Sequence, residues 1–404
     1  MSPILASVSI RATMPVAALL CSALSASNAS GQRVFFGNLH SHTSYSDGTG
    51  TPSRAYRHAR DAARLDFLAI TEHNHAGAEF GAGERADGRL IGTDHRLYSG
   101  PQNSALIPSA NRYNEDGRFV AIYGQEFSTI GKGNHVNVFD VDRVIEVSNG
   151  EFAELIDWLE DHPDGTGHPA VLQFNHPALH STSKEYGADD FGSEENWIAM
   201  MGRHASLIEV LNGPAMESSA GHRAEEVMEE DFFHYLNVGF HLAPTGDQDN
   251  HYATWGTVTD VRTAVIADEL TRAKVMGALR NRHVYASEDR NLELIFRVGG
   301  HLTGDIVRDP PAIGSELPIE LTIRDADEPN AQYTVSVFAD DKAGGEPARF
   351  VTSRTVQGDT PAGTPLRIGG VRYSGPGQYV LLKVRQRSGV LADRAWTAPV
   401  WFEP

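Results

Sequence analysis

The sequence predicts an α/β region built on a largely parallel sheet, closed or open, followed by a small all-β sandwich. Three observations predict it. Short apolar runs alternate with helix-like stretches up to about residue 290, the pattern of strand–helix–strand units. All 18 histidines fall between His40 and His301, and the last hundred residues hold none. From about residue 292 the texture changes to alternating apolar and polar residues broken by Gly, Pro and Asp, which suits antiparallel strands. At 404 residues the chain is long for one domain. The expected organisation is an export signal over 1–29, a first domain over 30–290 and an immunoglobulin-like β-sandwich over 291–404.

In chain order, strands are expected at 33–39, 66–70, 119–123, 134–141, 170–174, 206–211 and 238–243. Helices are expected between several of them. Thr51-Pro52-Ser53 supplies an N-cap and an early proline. Residues 151–160 carry Phe152, Leu155, Ile156 and Leu159 at helical spacing, and 225–236 and 270–280 look similar. Residues 81–117 and 181–203 show no clear periodicity and read as long insertions near a site. In the last part, 292–298, 319–323, 333–337 and 379–384 alternate as strands.

Composition narrows the function. Hydrophobic residues make up 40% and charged residues 22%, ordinary for a globular protein. A formal net charge of -19 argues against a long nucleic acid as partner, because such binding rests on cationic contacts to phosphate. Near the N-terminus, Arg11, the apolar run 16–24 and Ser27-Asn28-Ala29 read as a secretory signal with a small-x-small cleavage site. The run is too short to span a membrane. The protein is therefore expected in the periplasm or secreted, with no membrane span. The sole cysteine, Cys21, lies inside this signal, so the processed chain would have neither disulfides nor a thiolate nucleophile.

The chemistry is concentrated at the ends of the expected strands. His40-Ser41-His42 leaves the first strand, with Asp47 just beyond, and Thr71-Glu72-His73-Asn74-His75 leaves the second. Side chains two residues apart at a strand end point the same way, which suits two nitrogens on one metal ion. Gly124-Gln125-Glu126, Asn134-His135, Asn175-His176-Pro177 and Asp247-Gln248-Asp249-Asn250-His251 mark further strand ends. Each motif alone has a plain structural reading as a cap or turn. Isolated histidines such as His58, His204 and His234 read as packing or surface residues. Repetition of ligand-type residues around the whole region points to metal binding.

In their order, these motifs resemble the polymerase and histidinol phosphatase (PHP) superfamily, over about residues 33–290. The matching residues are His40, His42 and Asp47, then Thr71-Glu72-His73, Gly124 with Glu126, His135, His176, and Asp249 with His251; Arg282-His283-Val284-Tyr285-Ala286-Ser287 resembles the family's closing segment. The resemblance implies a distorted (βα)7 barrel holding two or three divalent metal ions. Carried over, His40, His42, Glu126 and Asp249 would hold the first ion. Glu126 would bridge to a second with His135 and His176. Asp47, His73 and His251 would hold a third. Asp247 is an alternative to Asp249, although the D-x-H spacing favours Asp249. Glu72 would orient a ligand from behind, and His75 would face the substrate.

Such a set suits hydrolysis by metal-activated water. The candidate catalytic residues are Glu126, Asp249 and His75, the last as donor to the leaving group. The substrate class is a small-molecule ester. A phosphate ester is the first expectation and a carbamate or aryl ester the alternative. Lys132 and Arg96 are the nearest cations by motif. Histidine-rich ligands favour Zn or Fe, and a shared carboxylate also tolerates Mn. A non-catalytic secreted metal-binding module remains a second alternative. The sequence has no G-x-S-x-G elbow and no nucleotide-phosphate loop.

Overall fold

A computed structural model describes residues 31–73, 106–163, 167–177, 185–341, 346–388 and 391–403. The expected export signal, His75 and Arg96 lie outside the described residues, as do 81–105 of the first insertion and 181–184 of the second.

The dominant element is one mixed sheet of 16 strands. Its first strand, β1 (Arg33–Asn38), runs parallel to β2 (Phe67–His73), and β2 runs parallel to β3 (Val120–Phe127). Next comes β4 (Val136–Phe139), antiparallel to both β3 and β5 (Val171–Phe174). Parallel pairing resumes from β5 to β6 (Ala205–Asn212). A two-residue strand, β7 (Glu226–Val227), and β8 (Ala243–Gly246) both pair with β6. On its other edge β1 pairs antiparallel with β9 (Arg262–Ala267), and β9 with β10 (Val284–Ser287).

This architecture overturns the expected (βα)7 barrel. Strand accounts for 37% of the structure and helix for 20%, and the sheet is mixed. The physical reasons lie in the connections. A (βα) unit needs a crossover long enough for a helix. The link from β3 to β4 is only 128–135, with a single 3-10 turn at Ile130–Lys132, so β4 returns antiparallel. The link from β8 to β9 carries no helix, and β9 takes the edge of β1 that a closing barrel strand would need.

The C-terminal strands divide between two sheets that share an apolar cluster, and one of the two is continuous with the large sheet. Glu293–Val298 (β11), His301–Leu302 (β12), Ile319–Arg324 (β14) and Leu366–Ile368 (β17) form a separate four-stranded sheet. The others, Ile306–Val307 (β13), Gln332–Asp341 (β15), Glu346–Gln357 (β16), Gln378–Ser388 (β18), Leu391–Thr397 (β19) and Val400–Phe402 (β20), extend the large sheet. The junction is β19 against β10, with Ala286 opposite Trp396. One apolar cluster accordingly holds Phe127, Phe174 and Leu211 from the first half beside Tyr379, Trp396 and Trp401 from the second. Each such buried aromatic stabilises the fold by about 2–3 kcal/mol.

The helices cover the sheet with amphipathic faces. α1 (Pro52–Asp61) is capped by the Thr51 side chain, which accepts from Arg54 N, as an N-cap with proline in the first turn should be. The second described helix, α2 (Leu106–Tyr113), falls inside the first expected insertion. Phe152, Leu155, Ile156 and Leu159 form the buried face of α3 (Phe152–Asp161). In the second expected insertion, α4 (Glu194–Met201) buries Trp197 and Met201. Next, α5 (Glu229–Val238) ends at Gly239 in the left-handed region (φ 119°), the usual helix stop. It occupies residues up to Val238, so the strand expected at 238–243 forms later, at β8. Last comes α6 (Arg272–Arg280). Among the described residues no helix is long and apolar enough to cross a membrane.

Candidate metal centre

The ligand-type residues gather at one end of the large sheet. His40 and His42 follow the C-terminal end of β1, His73 ends β2, and Glu126 lies near the end of β3. Because β4 is antiparallel to β3 and to β5, His135 before β4 and His176 after β5 reach the same end. Asp249 and His251 follow β8, and their segment is tied to the first loop: Ser41 bridges Asn250, and His42 N donates to Asn250 O at 2.8 Å. The sheet thus assembles all nine expected ligands without a closed barrel. Close approach is needed at Gly124, where a Cβ would lie 2.7 Å from Val138 O.

Glu126 is the hub. Its Oε1 lies 3.0 Å from His40 Nε2, 3.0 Å from His135 Nδ1 and 3.4 Å from His176 Nε2. Its Oε2 lies 2.8 Å from His73 Nδ1 and 3.3 Å from His42 Nε2. Asp249 Oδ1 sits 3.1 Å from His40 Nε2 and 3.0 Å from His42 Nε2. On the other side Asp47 Oδ1 is 3.2 Å from His251 Nε2, and Asp47 Oδ2 is 3.4 Å from His73 Nε2. Three overlapping groups have ligand atoms close enough to share an ion: His40, His42 and Glu126; His73, Glu126 and His135; and His42, Asp47, His73 and His251.

This donor set fits divalent ions on two counts. First, His40 Nε2 and His42 Nε2 stand 3.2 Å apart, and His135 Nδ1 and His176 Nε2 stand 3.3 Å apart. Metal–nitrogen bonds of about 2.1 Å, at tetrahedral or octahedral angles, place neighbouring ligand atoms about 3.0–3.4 Å apart. Second, Asp47 Oδ1, Glu126 Oε2 and Asp249 Oδ1 are buried without a well-directed hydrogen bond, a costly arrangement for anionic oxygens that a cation relieves. Asn134, His176 and Asp249 also hold left-handed backbone (φ 72°, 27° and 48°), a strain typical of functional sites.

Burial and mutual charge set the protonation of the cluster. Burial opposes charge on His42, and His73 opposes it too, but Asp249 and Glu126 outweigh both and push it up to about 9. For His73, burial is outweighed by Glu126 and Asp47, and its pKa is pushed up to about 10. His135 goes the other way: burial dominates and pulls it down to about 4. Burial raises the Asp247 carboxyl to about 7, with the Glu209 charge adding to it.

Five supporting residues, Glu209, Asn175, Glu72, Thr43 and Ser46, stand behind the expected ligands. Fully buried Glu209 accepts from His40 Nδ1 at 2.8 Å, from His176 N at 2.5 Å and from Asn212 Nδ2 at 2.7 Å. Its signal in the sequence is a carboxylate inside the apolar run Leu207-Ile208-Glu209-Val210-Leu211. Asn175 Nδ2 donates to Glu126 Oε1 at 2.9 Å. Thr43 and Ser46 hydroxyls donate to Glu72, and Thr43 N donates to it at 3.0 Å. Glu72 therefore pins the loop that carries His42 and Asp47. The two aspartates near the end separate cleanly in space. Asp249 faces the imidazoles, whereas Asp247 accepts from Leu39 N at 2.6 Å and Thr263 Oγ1 at 3.1 Å, away from them.

A cavity of about 460 Å³ opens on the centre. Its wall includes Asp47, His73, Glu126, His135, His176, Asp249 and His251, together with Ile130, Met216, Glu225 and Glu226. Lys132 is exposed and is not part of the described wall.

No family model and no curated protein matches this chain. Among solved structures, the crystal structure of dimeric latent PorU from Porphyromonas gingivalis is 13% identical, over 35% of this chain and 12% of that chain, with a TM-score of 0.18. That similarity carries no argument.

Proposed function

We propose that this chain is a metal-dependent hydrolase acting on a small phosphate ester. The observation that carries the reading is one cluster of six imidazoles and three carboxylates, five of the imidazoles within 3.4 Å of Glu126, beside a cavity large enough for a small substrate. His40, His42, Glu126 and Asp249 would hold one ion, Glu126, His135 and His176 a second, and Asp47, His73 and His251 a third. Bound there, the ions supply Lewis acidity and a nucleophilic water near neutral pH. Thiolate-free ligands and an open cavity suit a catalytic site better than a closed structural one. The order of the motifs, with its resemblance to the PHP superfamily, supports the same reading.

The chain's own groups have distinct tasks in this proposal. Glu209 keeps the proton on His40 Nδ1, which leaves Nε2 free as a ligand. Asn175 holds Glu126 in place. Three carboxylates do not neutralise two or three divalent ions, so the centre favours an anionic phosphoryl group. Ile130 and Met216, 60% and 55% exposed on the cavity wall, offer an apolar surface to the organic part of the ester. His75 is the candidate donor to the leaving group, by its place two residues after His73.

A second reading has its own observation. None of the described residues lining the cavity is Lys or Arg, and its mouth is apolar and acidic. That lining favours an uncharged carbamate or aryl ester. Elemental analysis of the purified protein, beside His40→Ala and Glu126→Ala, tests the centre. Parallel assays with p-nitrophenyl phosphate, bis-p-nitrophenyl phosphate and a naphthyl carbamate choose the branch. Bound metal without turnover of any ester would leave a binding module, and no bound metal after incubation with Mn, Zn and Fe would reject the proposal.

A further inference from the structure

Away from the histidines, three carboxylates converge where β10 hands over to the C-terminal strands. They are Asp289, after β10, Asp325, after β14, and Glu328 in the following loop; their oxygens lie within ligand-sharing distance of one another. Each aspartate has one oxygen fixed by backbone. Asp289 Oδ1 accepts from Asn291 N at 2.8 Å and Leu292 N at 3.0 Å. Asp325 Oδ1 accepts from Asp327 N at 3.0 Å and Glu328 N at 2.9 Å. The second oxygens turn inward, onto the side-chain amide of Gln386 on β18.

That amide does not satisfy them. Gln386 Nε2 stands 2.5 Å from Asp325 Oδ2, 2.6 Å from Glu328 Oε2 and 3.4 Å from Asp289 Oδ2, so two hydrogens face three acceptors. Gln386 is fully buried, and its Oε1 has no partner. A half-turn of the amide exchanges its oxygen and nitrogen and places Oε1 among the carboxylates. Directly across the strand pair, Tyr333 is also fully buried, with an unpartnered hydroxyl. Neighbouring cations are engaged elsewhere: Arg290 with Asp327 at 2.6 Å and Arg394 with Glu288 at 2.6 Å. Three inward carboxylate oxygens, with a fourth oxygen supplied once the Gln386 amide is turned, describe a hard-ion site.

We propose that Asp289, Asp325, Glu328 and Gln386 bind a calcium ion, separate from the histidine centre, which ties the loop after β10 to the C-terminal strands. The ligands are all oxygen, which selects against the softer ions that the imidazoles take. Their irregular placement suits calcium's flexible coordination better than magnesium's octahedron. A cavity of about 230 Å³, walled in part by Asp289, Glu328 and Asp393, reaches the cluster and admits water ligands.

The test uses the full chain dialysed into calcium-free buffer that contains zinc, so that any site at the histidines is kept supplied. Terbium emission sensitised by Tyr333 should appear and be displaced by calcium. Calcium should raise Tm by several degrees. In the Asp325→Asn/Glu328→Gln double variant, calcium affinity should fall at least about tenfold and the Tm response should vanish. Gln386→Glu, which adds a carboxylate oxygen, should lower Tm in the calcium-free buffer and recover it in calcium; it decides the matter if the double variant does not fold. Equal responses in wild type and double variant would overturn the proposal. So would a Gln386→Glu loss that calcium does not repair, since the amide would then act only as a hydrogen-bond donor. A magnesium response matching that of calcium would overturn the choice of ion.

Discussion

Glu209 accepts a hydrogen bond from His40 Nδ1 at 2.8 Å, and both side chains are completely buried. The bond fixes which imidazole nitrogen faces Glu126 and Asp249. Carboxylates placed behind a ligand histidine orient the ring and raise its basicity, and removing one costs about 10–100-fold in metal affinity or activity. Glu209→Gln should therefore weaken metal retention by about that factor while leaving the far-UV circular dichroism unchanged. Competition against a fluorescent chelator measures it. Retention equal to wild type would show that His40 is oriented by other means.

The overlap at Glu126 makes the ligands unequal. Glu126 touches five of the imidazoles, whereas His251 approaches only Asp47 and Asp249 among the carboxylates. Glu126→Ala should empty at least the two positions it bridges, and lower activity at least about 100-fold. His251→Ala should lower the metal content by about one ion and leave the rest in place. Elemental analysis of both variants is the measurement; the same loss from each would mean a single, differently arranged ion.

Asp66 provides a pH-dependent check on the fold away from the metals. Its Oδ2 accepts from Phe36 N at 2.8 Å, joining β1 to the start of β2. Burial pushes its carboxyl up to about 6, against the opposing pull of the Phe36 hydrogen bond and Arg33. A raised acid pKa means that the native state holds the proton longer than the unfolded state does. The group's contribution therefore falls as pH rises from about 4 to about 6, and its full cost is present above that window. Asp66→Asn keeps an acceptor for Phe36 N and removes the charge. It should gain about 1–2 kcal/mol over wild type at pH 8 and almost nothing at pH 4. Urea denaturation of both proteins at the two pH values reads the difference directly.

The candidate ligands were legible in the sequence because strand ends expose short, fixed spacings such as His40-Ser41-His42, and the structure brings them to one end of the sheet. Whether those strands close into a barrel was not legible. Pairing direction depends on links such as 128–135, too short for a helix, and on which distant strand takes the free edge of β1. The return of β19 to β10 joins residues more than a hundred positions apart, and strand alternation carries no record of its partner. Glu209 was missed for a related reason. A carboxylate in an apolar strand signals a buried charge, but not the histidine it meets.

That long-range pairing sets the last expectation, which concerns the chain cut at the boundary near residue 290. The β10 strand lies between β9 and β19, so a fragment covering 31–290 would leave it with a bare edge. The cut also strips Tyr379, Trp396 and Trp401 from an apolar cluster that they share with Phe127, Phe174 and Leu211. Glu229 on α5 loses Trp396 Nε1, which donates to it at 2.9 Å, and its contact with Lys383. Asn237 loses the Tyr379 hydroxyl, a bond of 2.8 Å. The three aromatics alone stabilise by about 6 kcal/mol or more, a large part of the roughly 5–15 kcal/mol that holds a typical protein folded. The fragment should therefore aggregate or unfold without a cooperative transition, and should bind metal poorly even though all nine candidate ligands lie within it. A sharp urea transition and full metal content in the fragment would show instead that the first half folds alone, with the C-terminal strands merely added to its edge.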